Sequence, residues 1–509
     1  MHANRKGTAW YKWYTAAESP EERKLLLKLD FLILPYALAM FWMYYVDASN
    51  IANAWVAGLA HDLGFDGNEL VNFTSVGQAA SIVGTIPFAY LFTRVPMNYL
   101  VPGIQLMWGV FTLVQFRANS YSAFMVLRFL VGFFEGPFFI AVQYVLGSWC
   151  KLNLSITGFP GPPSALPTPF FSTTDSVLAI SDRPDEFGRR GCLFWFGLPL
   201  GGTTAGLIQS SASANLDGVA GLRGWRWMFV VVGAMTIIIA IIGFFLWPGT
   251  PDRPNKLVLS REEIALANSR HERYRLVAPG NDITTFSWSL IRQVVTTPFI
   301  YVLVCWNVLF WNADPTNWNG YLLWLNSLGR YSEAEVNRLG VTAPVLGILY
   351  AFFIAFGSDL WLGRTTAIMI SSVANIIAMT ILVVWTVPES ALWLAYNLQY
   401  CVIILASVIY GWANDILRHN KQERAIALVF MQVIPSSIRA WIGLLVFKTV
   451  EAPRFLKGNS FMLANSVCLI AWTLWRFRAA YGVCLNEAAV SSENVEQIHH
   501  SPPVKVPED

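Results

Sequence analysis

Apolar residues in this chain neither alternate with polar ones nor keep to one stripe of a helix. They run on for about twenty positions at a time, the length a helix needs to cross the hydrocarbon layer of a bilayer. Such runs lie near residues 31–54, 76–93, 98–116, 122–147, 191–212, 226–247, 297–325, 340–361, 365–386, 391–411, 424–447 and 460–479. Polar turns separate them, so the pattern predicts an all-α integral membrane protein of about twelve transmembrane helices. The seventh run is interrupted by "NADPTNWNG", where Pro315 removes a backbone donor from the helix. Broken helices at membrane depth are tolerated where they line a cavity, which marks this place for function.

The runs fall into two blocks of six. Residues 1–30 form a cytosolic segment, 31–247 a first six-helix bundle, 248–296 a linker, 297–480 a second bundle and 481–509 a polar tail predicted to be disordered. In the linker, "LSREEIALANSRHERYR" opens with Ser260 three residues before Glu263, a capping-box pattern that predicts a charged cytosolic helix. A helix bridging two six-helix halves is the layout of a rocker-type secondary transporter, with a central site exposed alternately to each side. Integral-membrane enzymes and channels are the rivals.

Composition agrees. The chain is 55% hydrophobic and 13% charged, against about a quarter charged in a soluble domain. Arg5, Lys6, Lys12, Arg23, Lys24 and Lys28 precede the first run, and Arg94, Arg189, Arg190, Arg261, Arg270, Arg273, Arg364, Arg418, Lys421 and Arg424 follow even-numbered runs. The first outer loop, "VAGLAHDLGFDGNELVN", has no Lys or Arg. The positive-inside rule therefore puts both termini in the cytoplasm. Arg117, Arg223, Arg226, Arg330, Arg338, Arg454 and Lys457 count against it. No cleavable leader is expected, because the first thirty residues are polar and the first apolar run is long enough to stay in the membrane. The six cysteines show no paired spacing, so neither disulfides nor a metal site are expected.

Local motifs add a family. "GSDLWLGR" between runs eight and nine resembles the cytoplasmic loop signature of the major facilitator superfamily, and "LFTRVPMNY" occupies the equivalent place in the first half with only Arg94 kept. "YYVDASNIANAW", "LRFLVGFFEG", "GWRWMF", "WAND" and "VEAPRFLKG" occur in order and resemble the fungal anion:cation symporters, which include allantoate, nicotinate, biotin and pantothenate permeases. The resemblance implies the major facilitator fold, two six-helix bundles, and proton-coupled import of a small organic anion across a fungal plasma membrane. It implies a latch of Asp359, Arg364 and Arg94 at the cytoplasmic face. Two departures stand out. Ala48 follows the first-run aspartate where relatives often carry a basic residue, and thirty-odd residues separate "GSW" from "RPDEFGRR" where relatives have a short basic loop. The uncharged Pro-, Ser- and Thr-rich stretch over 150–182 is suspected to be a retained intron, with junctions at Cys150 and Ser181 that would rejoin through a tyrosine codon; a real cytosolic loop is the alternative.

Polar residues at membrane depth are expensive and usually functional. Asp47, Asn50 and Ala54 share one face of run one, and Arg128, Gly132 and Glu135 one face of run four. At about 1.5 Å per residue, Asp47 and Arg128 lie roughly 10 and 9 Å below the outer ends of their runs. The matched depths predict an ion pair; the alternative is that each reaches for the interface. Glu135 lies two turns deeper with no cation of its own half beside it, and a low dielectric disfavours its bare charge, so it is the leading proton carrier, with Asp47 beside it. Its alternative is a packing carboxyl bonded beside Gly132 and Gly136. Arg128 and Arg439 are candidate carboxylate ligands, Arg439 closing a stripe with Gln432 and Ser436 in run eleven. Gln78, Asn50, Trp306, Asn307 and Asn312 complete the expected substrate lining. Pairing Arg439 with an acid of its own half, and plain packing for Trp306, are the alternatives. "GLPLGG" in run five lends faint support to proton-antiport efflux of a drug or secondary metabolite, the second function considered. No clustered catalytic motif points to an enzyme. The expected partners are a small organic anion, protons and the lipid bilayer, with no cofactor, metal or nucleic acid, and the chain is expected to be monomeric.

Overall fold

The computed structural model describes residues 19–149, 196–251, 253–273, 292, 295–296, 298–358, 362–416 and 421–475. Among these, nine helices are long and apolar enough to cross a membrane. Three of the expected places carry other helices: Gly197–Asn215 for span five, Pro298–Ala313 for span seven, and a helical run over 456–475 for span twelve.

The first span starts at Pro20 and runs to Ala54, well ahead of the apolar run, because Ser19 and Glu22 form a capping box. The Glu22 amide donates to Ser19 Oγ at 3.1 Å and the Ser19 amide to Glu22 Oε2 at 3.0 Å. Its extra turns bury Leu25, Leu26 and Leu29. Span two is Glu69–Arg94, span three Met97–Val114 and span six Gly224–Leu246. Span four is divided into Tyr121–Glu135 and Phe138–Trp149 at Gly136 and Pro137, a break that the length of its apolar run alone does not announce. Span seven breaks at the expected place, giving Pro298–Ala313, a 3₁₀ turn at Thr316–Trp318, and Gly320–Ser327. Span eight comprises Glu333–Gly340, Thr342–Ala351 and Phe352–Phe356; span nine is Arg364–Val384. Span ten is divided into Glu389–Asn397, Tyr400–Ile403 and Leu405–Ile416, and span eleven is Lys421–Val446 with Pro435 inside it. The only strands among the described residues are Gly249–Thr250 and Arg253–Pro254, a two-residue antiparallel pair after span six.

Within the first half, span three packs on six, two on four and one on five; in the second, seven packs on eleven. Spans two and eleven, and spans five and eight, join the halves. One apolar core draws on both, from Tyr36, Phe41 and Phe138 to Phe310, Tyr410 and Leu469. A second gathers Trp55, Phe73, Trp225, Trp318, Trp324 and Tyr396 at the end carrying the connections after odd-numbered spans, called the outer end below. Ile238, Phe245, Leu349 and Leu445 remain exposed on the outside of the bundle, as a protein solvated by lipid requires.

Several outer-end cations that oppose the positive-inside count have local partners. Arg223 pairs with Asp62 at 3.1 Å and Asp217 at 3.5 Å, Lys457 with Glu451 at 2.7 Å, and Arg330 with Glu389. Arg226 donates to the Phe116 carbonyl at 2.6 Å. Residues 150–182, suspected of being a retained intron, lie outside the described residues, as does the C-terminal tail.

Candidate functional site

In the first half, span one presents Asp47 toward spans three and four. The carboxylate is fully buried, accepting from Trp108 Nε1 at 3.2 Å and from Thr112 Oγ1 at 3.1 Å. Arg128 Nη1 lies 3.8 Å from Asp47 Oδ2, and the guanidinium side chain is 7% exposed. The pair expected from depth is therefore formed, and its burial excludes the alternative in which both side chains reach for the interface. Span four comes very close to span two to place these groups: a Cβ on Gly132 would sit 2.2 Å from the Gly77 carbonyl oxygen, and one on Gly136 2.2 Å from the Ser81 carbonyl oxygen. Only glycine permits that approach. It brings Glu135 into the same cluster, with Asp47 and Arg128 as its electrostatic neighbours.

Many polar atoms here are left over. Asn50 Oδ1, Gln78 Oε1, Arg128 Nε and Nη1, and Glu135 Oε1 are buried and make no hydrogen bond among the described residues. Leaving a buried polar group unmatched costs about 1–3 kcal/mol, so a concentration of them in one place asks for a ligand, water or proton.

The second half carries a tighter pair. Arg439 Nη2 donates to Asp314 Oδ2 at 2.7 Å, with the two side chains 5% and 0% exposed. Asn317, its amide oxygen turned to the guanidinium, accepts from Nη2 at 2.8 Å and Nη1 at 3.0 Å. The Trp311 and Trp318 rings lie 5.3 and 5.8 Å from the guanidinium carbon. Asp314 also accepts from the Thr316 amide at 3.1 Å, so it holds the break of span seven onto span eleven. Deeper in this half, Asn307, Trp311 and Gln432 converge on the Tyr410 hydroxyl.

Of the other expected residues, Asn312 bonds back to the Val308 carbonyl of its own helix at 2.8 Å, and Trp306 is buried in the apolar core. Arg94 is exposed, its guanidinium 5.0 Å from the Tyr90 ring centroid, and Arg364 opens span nine; Asp359 lies outside the described residues. Asp314, Trp108, Thr112, Tyr44 and Tyr410 were not expected. Tyr44 of span one lies within electrostatic reach of Asp47, Arg128, Glu135 and Arg439. A signal for Asp314 existed: it stands in the first helix pair of the second half as Asp47 does in the first, but the Asp-Pro step read only as a helix breaker.

Comparison with known proteins adds the family. A family model described as Major Facilitator Superfamily matches residues 37–440. The chain is 33% identical over 477 residues to the Vitamin H transporter of Saccharomyces cerevisiae, covering 92% of this chain and 75% of that one. It is 27% identical over 440 residues to the pantothenate transporter liz1 of Schizosaccharomyces pombe, covering 86% and 78%. Among solved structures it is similar in fold to the proton:xylose symporter XylE bound to 6-bromo-6-deoxy-D-glucose, with TM-score 0.61, 13% identity, and coverage of 89% of this chain and 96% of that one. The partially occluded inward-open xylose transporter XylE from E. coli gives TM-score 0.53 at 13% identity, covering 86% and 98%.

Proposed function

Since the chain belongs to the Major Facilitator Superfamily and is thus an integral-membrane transporter rather than an enzyme, we propose that it imports a small vitamin-like carboxylate together with protons, by alternating access, with both termini in the cytoplasm of a fungal cell and the plasma membrane as its site. The observation that carries this reading is the charge balance of the first half: two buried carboxyls, Asp47 and Glu135, share one guanidinium, Arg128. With all three ionised the cluster carries one uncompensated negative charge in a low dielectric, which is costly. A proton on a carboxyl removes it. A substrate carboxylate that takes Arg128 leaves both acids without a counter-ion and makes protonation the more necessary, which couples the two cargoes.

Roles follow from the leftover atoms. Arg128, whose Nε and Nη1 make no hydrogen bond among the described residues, meets the carboxylate; Glu135 and Asp47 carry the proton; Asn50 and Gln78 complete the first-half lining. Arg439, Gln432, Asn307 and Asn312 line the second half, with Trp306 behind them. A carboxylate reaching Arg439 would have to displace Asp314, which makes Arg128 the primary anion ligand. Arg94, Arg364 and Asp359 act as the latch at the cytoplasmic face, and the transporter works as a monomer.

The test is uptake of labelled biotin and pantothenate by yeast lacking its own carriers and expressing the full chain, with the external pH varied. Accumulation in acid medium is expected. Glu135→Gln is expected to reduce the acid-driven component to background while exchange across the membrane persists. Uptake by Glu135→Gln that still follows the pH gradient would remove Glu135 from the coupling role, and drug resistance without vitamin uptake would favour efflux.

A further inference from the structure

The second half contains a neutral hydrogen-bonding hub whose orientation has no freedom left. Asn307 Nδ2 donates to Tyr410 Oη at 3.0 Å, Trp311 Nε1 donates to the same oxygen at 3.2 Å, and Tyr410 Oη donates to Gln432 Oε1 at 2.8 Å. Two members fix the rest. Asn307 Nδ2 also donates to the Met431 carbonyl, and a carbonyl only accepts, so the Asn307 atom facing it is the NH₂. An indole N–H only donates. With two bonds arriving at its oxygen, the Tyr410 hydroxyl must send its own hydrogen to Gln432, which must therefore turn its oxygen to the phenol and its NH₂ away.

Two groups are left over. The Gln432 NH₂ remains as a donor on a half-buried side chain at the edge of the hub. Asn307 Oδ1 remains as an acceptor that is buried with no partner among the described residues, on a side chain with 0% exposure. Gln432 lies about 21 Å below the outer end of span eleven, and Glu135 about 21 Å below that of span four, at about 1.5 Å per residue. The Tyr410 ring itself faces Phe139, four residues beyond Glu135, with centroids 6.1 Å apart across the two halves. The hub thus adjoins the first-half cluster at matched depth.

We propose that Tyr410 is a positioning residue that locks the Gln432 and Asn307 amides, so that the second half offers one donor and one acceptor to a neutral planar group of the substrate, of the amide or ureide kind, while Arg128 takes its carboxylate. The inference rests on the import reading above and adds to it the chemistry of the substrate's uncharged end. An apolar chain in the same place would leave the Asn307 oxygen unmatched, and a site built to bond polar groups rejects the analogue that lacks them.

The test uses cells expressing the full chain, with surface amount measured, labelled biotin and pantothenate as substrates, and valerate, a carboxylate without an amide, as competitor. Tyr410→Phe keeps the ring against Phe139 and removes the hub. It is expected to raise KM about tenfold, the worth of one net hydrogen bond, with little change in maximal rate, and to narrow the preference for the vitamin over valerate. Gln432→Leu, which removes the donor directly, is expected to do the same and decides the matter if Tyr410→Phe fails to reach the surface. Wild-type KM and preference in these variants, or a loss of maximal rate with KM unmoved, overturns the inference while pH-driven uptake by the wild type leaves the import reading standing. Uptake of neither vitamin by the wild type removes both.

Discussion

At the scale of single residues, the two buried ion pairs differ in a way that assigns them different work. Asp47 and Arg128 stand 3.8 Å apart, with a further carboxyl in electrostatic reach and two guanidinium nitrogens that make no hydrogen bond among the described residues. Asp314 and Arg439 meet at 2.7 Å, and Asn317 and two tryptophan rings enclose the guanidinium. The first pair has capacity to spare; the second is closed. Removing one partner of a closed buried pair strands a charge, at a cost of about 3–5 kcal/mol, whereas replacing both by neutral groups is far less damaging. Asp314→Asn is therefore expected to lower the thermal midpoint of the detergent-solubilised protein markedly, and Asp314→Asn with Arg439→Gln to recover most of the loss. Equal losses in the single and double variants would show that the pair is not the source. The first pair was legible because both residues sit inside clean apolar runs whose depths can be counted; Asp314 was not, because its segment interrupts a run.

At the scale of elements, the linker helix Arg261–Arg273 shows how capping and docking combine. Glu263 accepts from the Ser260 amide at 2.8 Å, closing its capping box, and from Lys28 Nζ at 2.8 and 2.9 Å, tying the linker to the foot of span one. Partial burial pushes the Glu263 carboxyl up, but the hydrogen bonds from Lys28 and the Ser260 backbone outweigh it and hold it below the ordinary glutamate value. The stabilisation of a group depressed in this way is present above the unfolded value, about 4.3, and is lost as the pH falls through the lower folded one. Amide-exchange protection of Arg261–Arg273 is expected to persist from neutral pH to about 4.3 and to fall only below it; in Lys28→Gln protection should already be weaker at neutral pH and should change less as the pH falls through that range. Protection that does not change with pH would show that apolar contacts alone hold the helix. The capping box was readable from Ser260 and Glu263, but its tie to Lys28 joins residues far apart in sequence. The breaks in spans four and ten fall at Gly136–Pro137 and beside Asn397 and Gln399, local marks that the length of an apolar run passes over.

At the scale of the whole molecule, the halves touch at the outer end through the aromatic cluster they share and through hydrogen bonds of small and main-chain groups. Ser210 Oγ donates to the Ala334 carbonyl at 2.8 Å, the Val71 amide to Thr449 Oγ1 at 3.3 Å, and the Val450 amide to Asn68 Oδ1 at 3.3 Å. Hydrogen bonds of this kind are lost at little cost when one half rocks against the other, so the shared aromatic cluster carries most of the cost of parting the outer ends. Ser210→Cys with Ala334→Cys is expected to cross-link under oxidising conditions, abolish net uptake, and recover it on reduction. Uptake unaffected by a completed cross-link would mean that the outer ends need not part.

The amino-acid sequence by itself determined that this chain lives in a bilayer, roughly where it crosses, that it is built as two halves, and which charges lie at depth. Those properties follow from the length of apolar runs and the cost of polar groups in hydrocarbon, both of which are local. The tertiary structure alone decided which partner each buried group finds: Arg439 with Asp314, and Tyr410 with Asn307, Trp311 and Gln432. A span that is apolar all round carries no stripe to say how it is turned about its axis, and rotation, set only by packing against its neighbours, is what aims a side chain at its partner.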